Sequence, residues 1–372
     1  MNVSQKRLAI FLPGLYDGGA ERVMLNLASG LCRRGTAVDL VLSQAEGPYM
    51  NDLPDSVRLV ELNRKHRGFL RTQSSLPAFI GYLKRERPDA LLTGLQANTV
   101  AVWARRLVGI PRRVVITEQN TFSLQNQLLP GSYRWLMPYV TRYFYQWADS
   151  IIAVSEGVAD DLAHVTAIPR QRIQVIYNPI VTNELKAKAQ APLQHPWFQP
   201  GEPPVILAVG RLTRQKAFDT LLQSFAQVRQ NRPARLLILG EGEDRSALEA
   251  QVSRLGLDQD VSMPGFVSNP YPYMVQSSLF VLSSRWEGLP TVLVEALYCG
   301  APVISTDCPS GPQEILKGGK YGKLVPVDDV GSLAQAILAA LDGPVQHPAQ
   351  ESWQPFELET VIDQYIDSLF GV

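Results

Sequence analysis

A short glycine-containing turn between two apolar segments has the composition of an anion-binding helix start. The run Leu279–Ser284 predicts a strand, and Gly288, Leu289, Pro290 and Thr291 follow it closely. A helix is predicted to begin at Pro290, because its missing N–H would be unpaired at a first helical position anyway. The N–H groups of Leu289 and Thr291 would then be free to bind an anion at the positive end of the helix dipole. A diphosphate would suit that position.

Two carboxylates, Glu287 and Glu295, flank this turn with seven residues between them. Glu295 stands among apolar neighbours in the predicted helix, where a carboxylate needs a hydrogen-bonding partner. The hydroxyls of a ribose are suitable partners, because one carboxylate can accept two hydrogen bonds from a diol. Glu287 lies on the loop and could accept hydrogen bonds from the hydroxyls of a sugar. The alternative for Glu295 is a solvent-facing position on an amphipathic helix.

Two cations follow another predicted strand, Val205–Val209. Arg211 and Lys216 come after its carboxyl end, which is the end where open α/β sheets bind their ligands. Positive charge at that place can neutralise the negative charge that develops on a leaving nucleoside diphosphate. Considered alone, this pair would be interpreted as solvated surface charges. Together with Glu287, however, we predict that Arg211 and Lys216 are the catalytic residues.

The segment Ser284–Asp307, SRWEGLPTVLVEALYCGAPVISTD, together with these cations, resembles the retaining GT-B glycosyltransferases of the GT4 type. The resemblance covers essentially the whole chain and is densest from Gly210 to Val327. It implies retaining transfer of a hexosyl or N-acetylhexosaminyl group from a nucleotide-diphosphate sugar to a hydroxyl of a glycan or lipid-linked acceptor. UDP is favoured over GDP, and the implied setting is cell-surface polysaccharide synthesis. The resemblance assigns the leaving phosphates to Arg211 and Lys216.

The same resemblance implies further donor-binding positions. Gly18 and Gly19, after the first strand, match a loop that faces the donor phosphates. Phe266 and Val267 match a loop that holds the nucleobase, although Phe266 could also be a core residue. Glu241 follows another strand and is expected near the nucleotide, with a simple turn as the alternative.

The acceptor side is expected at a third strand end, in the segment Thr117–Thr121. Glu118 and Asn120 are candidates for hydrogen bonds to sugar hydroxyls. Many relatives carry a histidine where this chain has Gln119. This difference argues against an imidazole role at that point.

The arrangement of strands and helices predicts an α/β protein of two Rossmann-like, doubly wound domains with an interdomain cleft. Apolar runs of five to eight residues alternate with helical patterns, which is typical of parallel strands buried on both faces. We expect an acceptor domain over 1–178, a proline-rich linker over 179–202 and a donor domain over 203–354. The amphipathic tail 355–372 is predicted to pack back on the first domain, with a terminal helix of the second domain as the alternative.

Neither a metal nor a cofactor is predicted, since the nucleotide sugar is the donor substrate. The four histidines are scattered, and no pair of aspartates stands at a strand end. Two alternatives remain open, namely a sugar-nucleotide epimerase of similar layout and a non-catalytic protein that binds a sugar nucleotide. A dinucleotide-dependent dehydrogenase is disfavoured, because neither half has Gly-x-Gly-x-x-Gly after its first strand.

The distribution of charge and aromatic residues points to a membrane surface. No apolar run is long enough to span a bilayer, so a cytoplasmic location is expected. Residues 1–178 hold 21 Lys and Arg against 14 Asp and Glu, whereas the remainder has the reverse balance. Cations cluster at Arg64–Arg71, and aromatic residues cluster at Tyr133–Trp147. We therefore expect docking on the inner leaflet, with an aromatic core helix as the alternative, and no nucleic-acid partner.

Overall fold

The computed structural model describes residues 6–16, 19–62, 72–127, 129, 131–344 and 347–371. The chain forms two compact units. The first unit comprises Met1–Ile180 with Phe356–Val372, and the second unit comprises Val181–Pro355.

The first unit is built on a parallel sheet of seven strands within the described residues. The strand order β3-β2-β1-β4-β5-β6-β7 reverses direction beside β1, as in a doubly wound fold. Ile10 in β1 lies opposite Leu40 on one side and Leu92 on the other, and all three side chains are fully buried. The strands are β1 Arg7–Leu12, β2 Ala37–Leu42, β3 Arg58–Glu61, β4 Ala90–Gly94, β5 Arg113–Glu118, β6 Ser150–Ala153 and β7 Ile173–Val175.

Helices connect these strands and cover the sheet. Local signals set several of their ends: the Ser155 hydroxyl accepts a hydrogen bond from the Val158 N–H at the start of α6, and α3 ends at Gly109 with φ of +68°. The helices are α1 Gly19–Arg33, α2 Leu76–Glu86, α3 Asn98–Val108, α4 Phe122–Gln127, α5 Gly131–Tyr145 and α6 Glu156–Thr166.

The second unit contains a parallel sheet of six strands in the described residues, in the order β10-β9-β8-β11-β12-β13. Its strands are β8 Val205–Val209, β9 Arg235–Leu239, β10 Val261–Gly265, β11 Leu279–Leu282, β12 Val303–Thr306 and β13 Lys323–Val325. Its helices are α7 Asn183–Ala189, α8 Phe218–Asn231, α9 Arg245–Arg254, α10 Tyr271–Gln276, α11 Thr291–Tyr298, α12 Pro312–Ile315 and α13 Val330–Asp342.

The stretch 179–202, which we expected to be a linker, lies mostly within the second unit. The Thr182 hydroxyl caps α7 by accepting a hydrogen bond from the Leu185 N–H at 3.1 Å. This helix packs against α10, and the Asn269 amide donates to the Lys188 carbonyl at 3.0 Å. The prolines of this stretch lie after α7, so they leave that helix intact.

The last helix, α14 (Leu358–Phe370), belongs to the first unit and packs against α1. A side chain at Gly30 of α1 would clash, since a Cβ atom there would lie 2.7 Å from Cδ1 of Ile362. Tyr365 is fully buried, and the Ile180 N–H donates to the Phe356 carbonyl at 2.9 Å. Apolar residues at helical spacing therefore anchor the tail on the first unit.

Candidate active site

The predicted donor residues of the second unit follow neighbouring strands at one edge of its sheet. Because all the strands are parallel, the loops after β8, β9, β10 and β11 start from the same edge. Backbone bonds join them: Leu212 N–H donates to the Glu241 carbonyl at 2.8 Å, and Gly240 N–H donates to the Gly265 carbonyl at 2.9 Å. Three strand spacings separate β10 from β11, which is roughly 14 Å at the usual interstrand distance. This edge is long enough for an extended ligand.

Lys216 and Glu287 form a direct ion pair. The Lys216 Nζ atom lies 2.6 Å from Glu287 Oε1, and the two side chains are only 15% and 8% exposed. The Ser284 hydroxyl donates to the same carboxylate oxygen at 2.6 Å. The stability of this buried ion pair depends on both partners, because loss of one leaves the charge of the other uncompensated. The structure thus brings two of the three predicted catalytic residues into contact.

The two loops that carry this pair are tied together by further hydrogen bonds. The Ser283 hydroxyl donates to the Lys216 carbonyl at 2.7 Å, and the Gln215 amide donates to the Trp286 carbonyl at 2.9 Å. The Arg285 N–H donates to the Gln215 carbonyl at 2.8 Å. The position of the lysine relative to Glu287 is therefore fixed by the backbone as well as by the ion pair.

Arg285 is a structural residue of this site that the sequence analysis missed. Its guanidinium donates to Asp328 and to Asp219, each at 2.8 Å, and to the Arg214 carbonyl at 2.8 Å. Burial opposes the charge of Arg285, but these carboxylates outweigh it and raise the pKa of the guanidinium. The signal that identified Arg211, a cation at the carboxyl end of a parallel strand, also applies to Arg285 after β11.

Arg211 is the third predicted catalytic residue, and it follows β8 at the same edge. Its side chain is exposed. Within the described part of the chain, its guanidinium makes no hydrogen bond or ion pair. A guanidinium in this state can bind an anion without first breaking an internal interaction.

The turn before α11, where we predict an anion site, consists of buried residues. Packing around these residues holds the backbone of the turn in place. Gly288, Leu289 and Pro290 are buried, and α11 begins at Thr291, one residue later than predicted. The first N–H groups of this helix lie outside the intrahelical ladder, so they remain available to an anion. The next loop supports the turn, since the Ser310 hydroxyl donates to the Gly288 carbonyl at 2.7 Å.

The remaining predicted donor residues have different surroundings. Glu241 is exposed and forms a two-point ion pair with Arg245 at 2.7 and 2.8 Å, which lowers the pKa of its carboxyl. Phe266 is 76% exposed, so the alternative of a core residue is wrong, while Val267 is half-buried. Glu295 is half-buried in α11, which leaves its role a prediction.

Two predicted features of the first unit are only partly described. Gly18 lies outside the described residues, and Gly19 is the exposed first residue of α1. The basic cluster Arg64–Arg71, which is part of the membrane prediction, lies outside the described residues.

The predicted acceptor-side residues stand at the carboxyl end of β5 in the first unit. Glu118 is buried, and its Oε1 atom accepts hydrogen bonds from the Tyr145 hydroxyl and, at 3.1 Å, from the Asn98 amide. Burial raises the pKa of Glu118 to about 7, although both hydrogen bonds oppose this shift. Tyr145 and Asn98 were missed by the sequence analysis, because they lie on other helices and give no local signal.

Asn120 differs from Glu118 and Gln119 in its exposure. Asn120 is exposed. Gln119 is 7% exposed, and its amide nitrogen lies 3.5 Å from the Thr117 hydroxyl. Its Oε1 atom has no hydrogen-bond partner among the described residues, which is costly for a buried carbonyl oxygen. A hydroxyl-bearing ligand would satisfy this oxygen.

The described residues contain neither a metal-binding cluster nor a membrane-spanning helix. No group of three or more His, Cys, Asp or Glu side chains is placed to hold a metal ion. None of the helices in the described ranges has the length and apolar composition that crossing a membrane requires.

Two family models match successive parts of the chain. Residues 17–184 match the model described as Glycosyltransferase Family 4, and residues 203–343 match the model described as Glycosyl transferases group 1. One similar protein from Campylobacter jejuni is named N-acetylgalactosamine-N,N'-diacetylbacillosaminyl-diphospho-undecaprenol 4-alpha-N-acetylgalactosaminyltransferase. It is 29% identical over 344 residues, which are 91% of this chain and 90% of the relative.

Solved structures show the same fold. The apo form of the lipopolysaccharide outer core galactosyltransferase WaaB superimposes with a TM-score of 0.73 at 23% identity, over 98% of this chain and 99% of that one. Anabaena HepE in complex with UDP-glucose superimposes with a TM-score of 0.75 at 20% identity, over 98% and 100%. The two parallel, Rossmann-like sheets and these matches confirm the predicted GT-B fold class.

Proposed function

Because the chain belongs to the family 4, or group 1, glycosyltransferases, we propose that it transfers a hexosyl or N-acetylhexosaminyl group from a UDP-sugar. The acceptor is a hydroxyl of a lipid-linked saccharide in lipopolysaccharide or polysaccharide synthesis, and the anomeric configuration is retained. The relative from Campylobacter jejuni supports the acceptor class, since its name specifies a diphospho-undecaprenol-linked sugar. HepE supports the donor class, because it is solved with UDP-glucose.

The observation that carries the proposal is the buried pair of Lys216 and Glu287 beside the start of α11. In the proposed complex, Lys216, Arg211 and the first N–H groups of α11 bind the donor diphosphate. Positive groups held at this place stabilise the charge that accumulates as the diphosphate leaves. Glu287 accepts hydrogen bonds from the sugar hydroxyls, and Glu295 accepts them from the ribose.

The proposed reaction breaks the bond between the anomeric carbon and the β-phosphate oxygen of the donor. A bond from the same carbon to the acceptor oxygen forms, and the acceptor proton passes to the leaving β-phosphate. Lys216 and Arg211 then act by holding charge, and neither has to transfer a proton. We propose that the reaction requires no metal ion, because these cations and the helix dipole supply the positive charge.

The acceptor is proposed to bind at the carboxyl end of β5. Glu118, Gln119 and Asn120 offer carboxyl and amide groups there, and the unpaired Oε1 of Gln119 would accept from a sugar hydroxyl. Because the acceptor is lipid-linked, we propose that the protein works at the cytoplasmic face of the membrane.

A donor assay tests the proposal. The purified protein is incubated with UDP-glucose, UDP-galactose, UDP-N-acetylglucosamine, UDP-N-acetylgalactosamine and GDP-mannose, and release of the nucleoside diphosphate is measured with and without a lipid-linked saccharide. We expect one UDP-sugar to raise the melting temperature and to be consumed, faster with acceptor. Consumption of a UDP-sugar to an epimer without UDP release, or binding without any turnover, would contradict transfer.

A further inference from the structure

The first unit exposes an unusual concentration of large apolar side chains on α3 and α5. Trp135 is 81% exposed and Tyr139 is 72% exposed, although buried positions are the normal place for such rings. Most of the exposed large apolar residues in the described ranges lie on these two helices, namely Trp103, Leu107, Tyr133, Trp135, Leu136, Tyr139 and Tyr143. Concentrations of this kind mark interaction surfaces.

The exposed rings of α5 form a continuous stripe. Trp135, Tyr139 and Tyr143 recur every four residues, which places successive members one above another along the helix, and the half-buried Trp147 follows just beyond its end. The rings of Tyr143 and Trp147 are in contact, with 4.7 Å between their centroids. The stripe and its neighbours therefore form one apolar surface, which we call the aromatic face.

The aromatic face extends from α5 to α3. The rings of Trp103 and Phe144 lie 6.0 Å apart, and the Arg106 guanidinium lies 5.5 Å from the ring centre of Trp147. The two helices also pack against each other. Trp103 and Leu107 of α3 thus widen the surface beyond a single helix.

Basic residues outnumber acidic ones around the aromatic face. Residues 98–147 contain six arginines and one acidic residue, Glu118, which is buried. Arg106, Arg112, Arg134 and Arg142 are exposed. Asp149, just beyond this segment, is exposed and pairs with Arg105 at 3.4 Å, which leaves the four exposed arginines in excess. Aromatic rings among exposed arginines complement an anionic lipid surface.

A cleft of about 370 Å³ opens between α5 and the end of α6. Its lining favours an extended anionic surface over a free phosphate as the ligand of its arginines. Arg134 and Arg142 line one side, and Val165, Thr166 and Ala167 line the other. The C-terminal end of a helix presents carbonyl groups and repels an isolated anion. The arginines are therefore better placed to contact an extended anionic surface than to enclose a free phosphate.

We propose that the aromatic face docks on a bilayer of anionic phospholipids, with its rings at the level of the headgroups and its arginines against the lipid phosphates. This inference rests on the proposed function, because docking serves an enzyme whose acceptor is carried by a membrane lipid. The docking helix is connected to the acceptor-side residues, because Tyr145 at the end of α5 donates to Glu118. Docking through α5 brings the end of β5 close to a saccharide carried by a lipid.

Sedimentation with lipid vesicles tests this proposal on the full-length protein. We expect binding to phosphatidylglycerol vesicles, weakening as salt rises, and much weaker binding to phosphatidylcholine vesicles. Trp135→Ser combined with Tyr139→Ser is expected to lower the partition coefficient about tenfold or more through lost apolar burial. Arg134→Ala and Arg142→Ala are expected to cost about fivefold each.

Matched substitutions on the second unit serve as controls. Leu255 and Arg254 are exposed there, so Leu255→Ser and Arg254→Ala remove an exposed apolar side chain and an exposed cation that do not belong to the aromatic face. Equal binding to both kinds of vesicle, or unchanged binding of the α5 variants, would overturn the proposal. If the wild-type protein were a dimer and the Trp135→Ser, Tyr139→Ser variant were a monomer, the aromatic face would instead be assigned to contact with a second copy of the chain. Displacement from vesicles by millimolar glycerol phosphate would assign the arginines to a free phosphate.

UDP-sugar consumption in lipid-free buffer separates this proposal from the proposed function. The α5 variants are expected to retain it, because none of their changes touches the donor residues. If the wild-type protein bound anionic vesicles but consumed no donor, the proposed function would fail and the docking surface would stand. If donor consumption were normal and vesicle binding absent, only the docking surface would fail.

Discussion

Lys216 and Glu287 come from loops that follow different strands, and their charged atoms lie 2.6 Å apart in a largely buried position. Removal of either partner has two separable consequences. The remaining charge loses its compensation, which lowers stability. In the proposed reaction, the donor diphosphate also loses a positive group or the sugar loses an acceptor of hydrogen bonds.

Lys216→Ala is expected to lower the rate of sugar transfer by about 100-fold or more, the usual effect of losing one group that stabilises developing charge. It should also lower the free energy of unfolding by about 3 kcal/mol, because Glu287 stays buried without its partner. Steady-state kinetics and thermal melting measure the two effects. Arg214→Ala is the matched control, since it removes an exposed cation from the same loop.

Adding Glu287→Gln to Lys216→Ala distinguishes catalysis from stability. The double variant no longer buries an unpaired charge, so we expect its melting temperature to recover part of the loss. Transfer should stay as slow as in Lys216→Ala or become slower. Recovery of transfer together with stability would show that the pair is only structural.

Arg285→Met is expected to loosen the loop that carries Lys216, because Arg285 joins Asp219, Asp328 and the Arg214 carbonyl. UDP should then raise the melting temperature less than it does in the wild-type protein. Arg285→Lys is expected to restore stability only in part, since an ammonium cannot reproduce the geometry of the guanidinium. Loss of thermal stability with an unchanged response to UDP would contradict a role in the donor site.

The donor unit could be predicted from the sequence more fully than the acceptor side. Glu287, Gly288 and Pro290 lie within one short segment, so the strand, turn and helix start were visible in local composition. Arg285 is also a cation at the carboxyl end of a parallel strand, so the rule that identified Arg211 applies to it, but the sequence analysis did not include it. The bonds from Tyr145 and Asn98 to Glu118 join residues from separate helices, which no local pattern encodes.

Boundaries were less predictable than elements. The prolines after residue 190 suggested a linker, but Thr182 caps a short helix that packs on the second unit. Such packing is decided by tertiary contacts, because a helix of seven residues has little stability by itself.

Gly311→Ala is expected to displace the turn before α11. Gly311 has φ of +95°, and a Cβ atom there would lie 2.4 Å from Cδ of Pro290. Gly318→Ala is the matched control, because Gly318 also has positive φ but a Cβ atom would meet nothing within 4 Å. Both should lose about 1 kcal/mol of stability from backbone strain. Only Gly311→Ala should also weaken UDP binding in a thermal-shift titration, and equal effects of the two would contradict this account.

Glu118→Gln is expected to change how stability depends on pH. Burial raises the pKa of Glu118 from 4.5 to about 7, so between these values the folded chain keeps a proton that the unfolded chain has lost. The stability contributed by this proton is complete below pH 4.5 and is lost as the pH rises to about 7. Glutamine does not titrate, so the melting temperature of Glu118→Gln minus that of the wild-type protein should rise from pH 5 to pH 7 and then level off. The corresponding change in the free energy of unfolding is about 3 kcal/mol. Glu61→Gln, at an exposed position of the same unit, is the matched control for removal of a carboxylate. A flat difference for Glu118→Gln would mean that Glu118 is already ionised at pH 5.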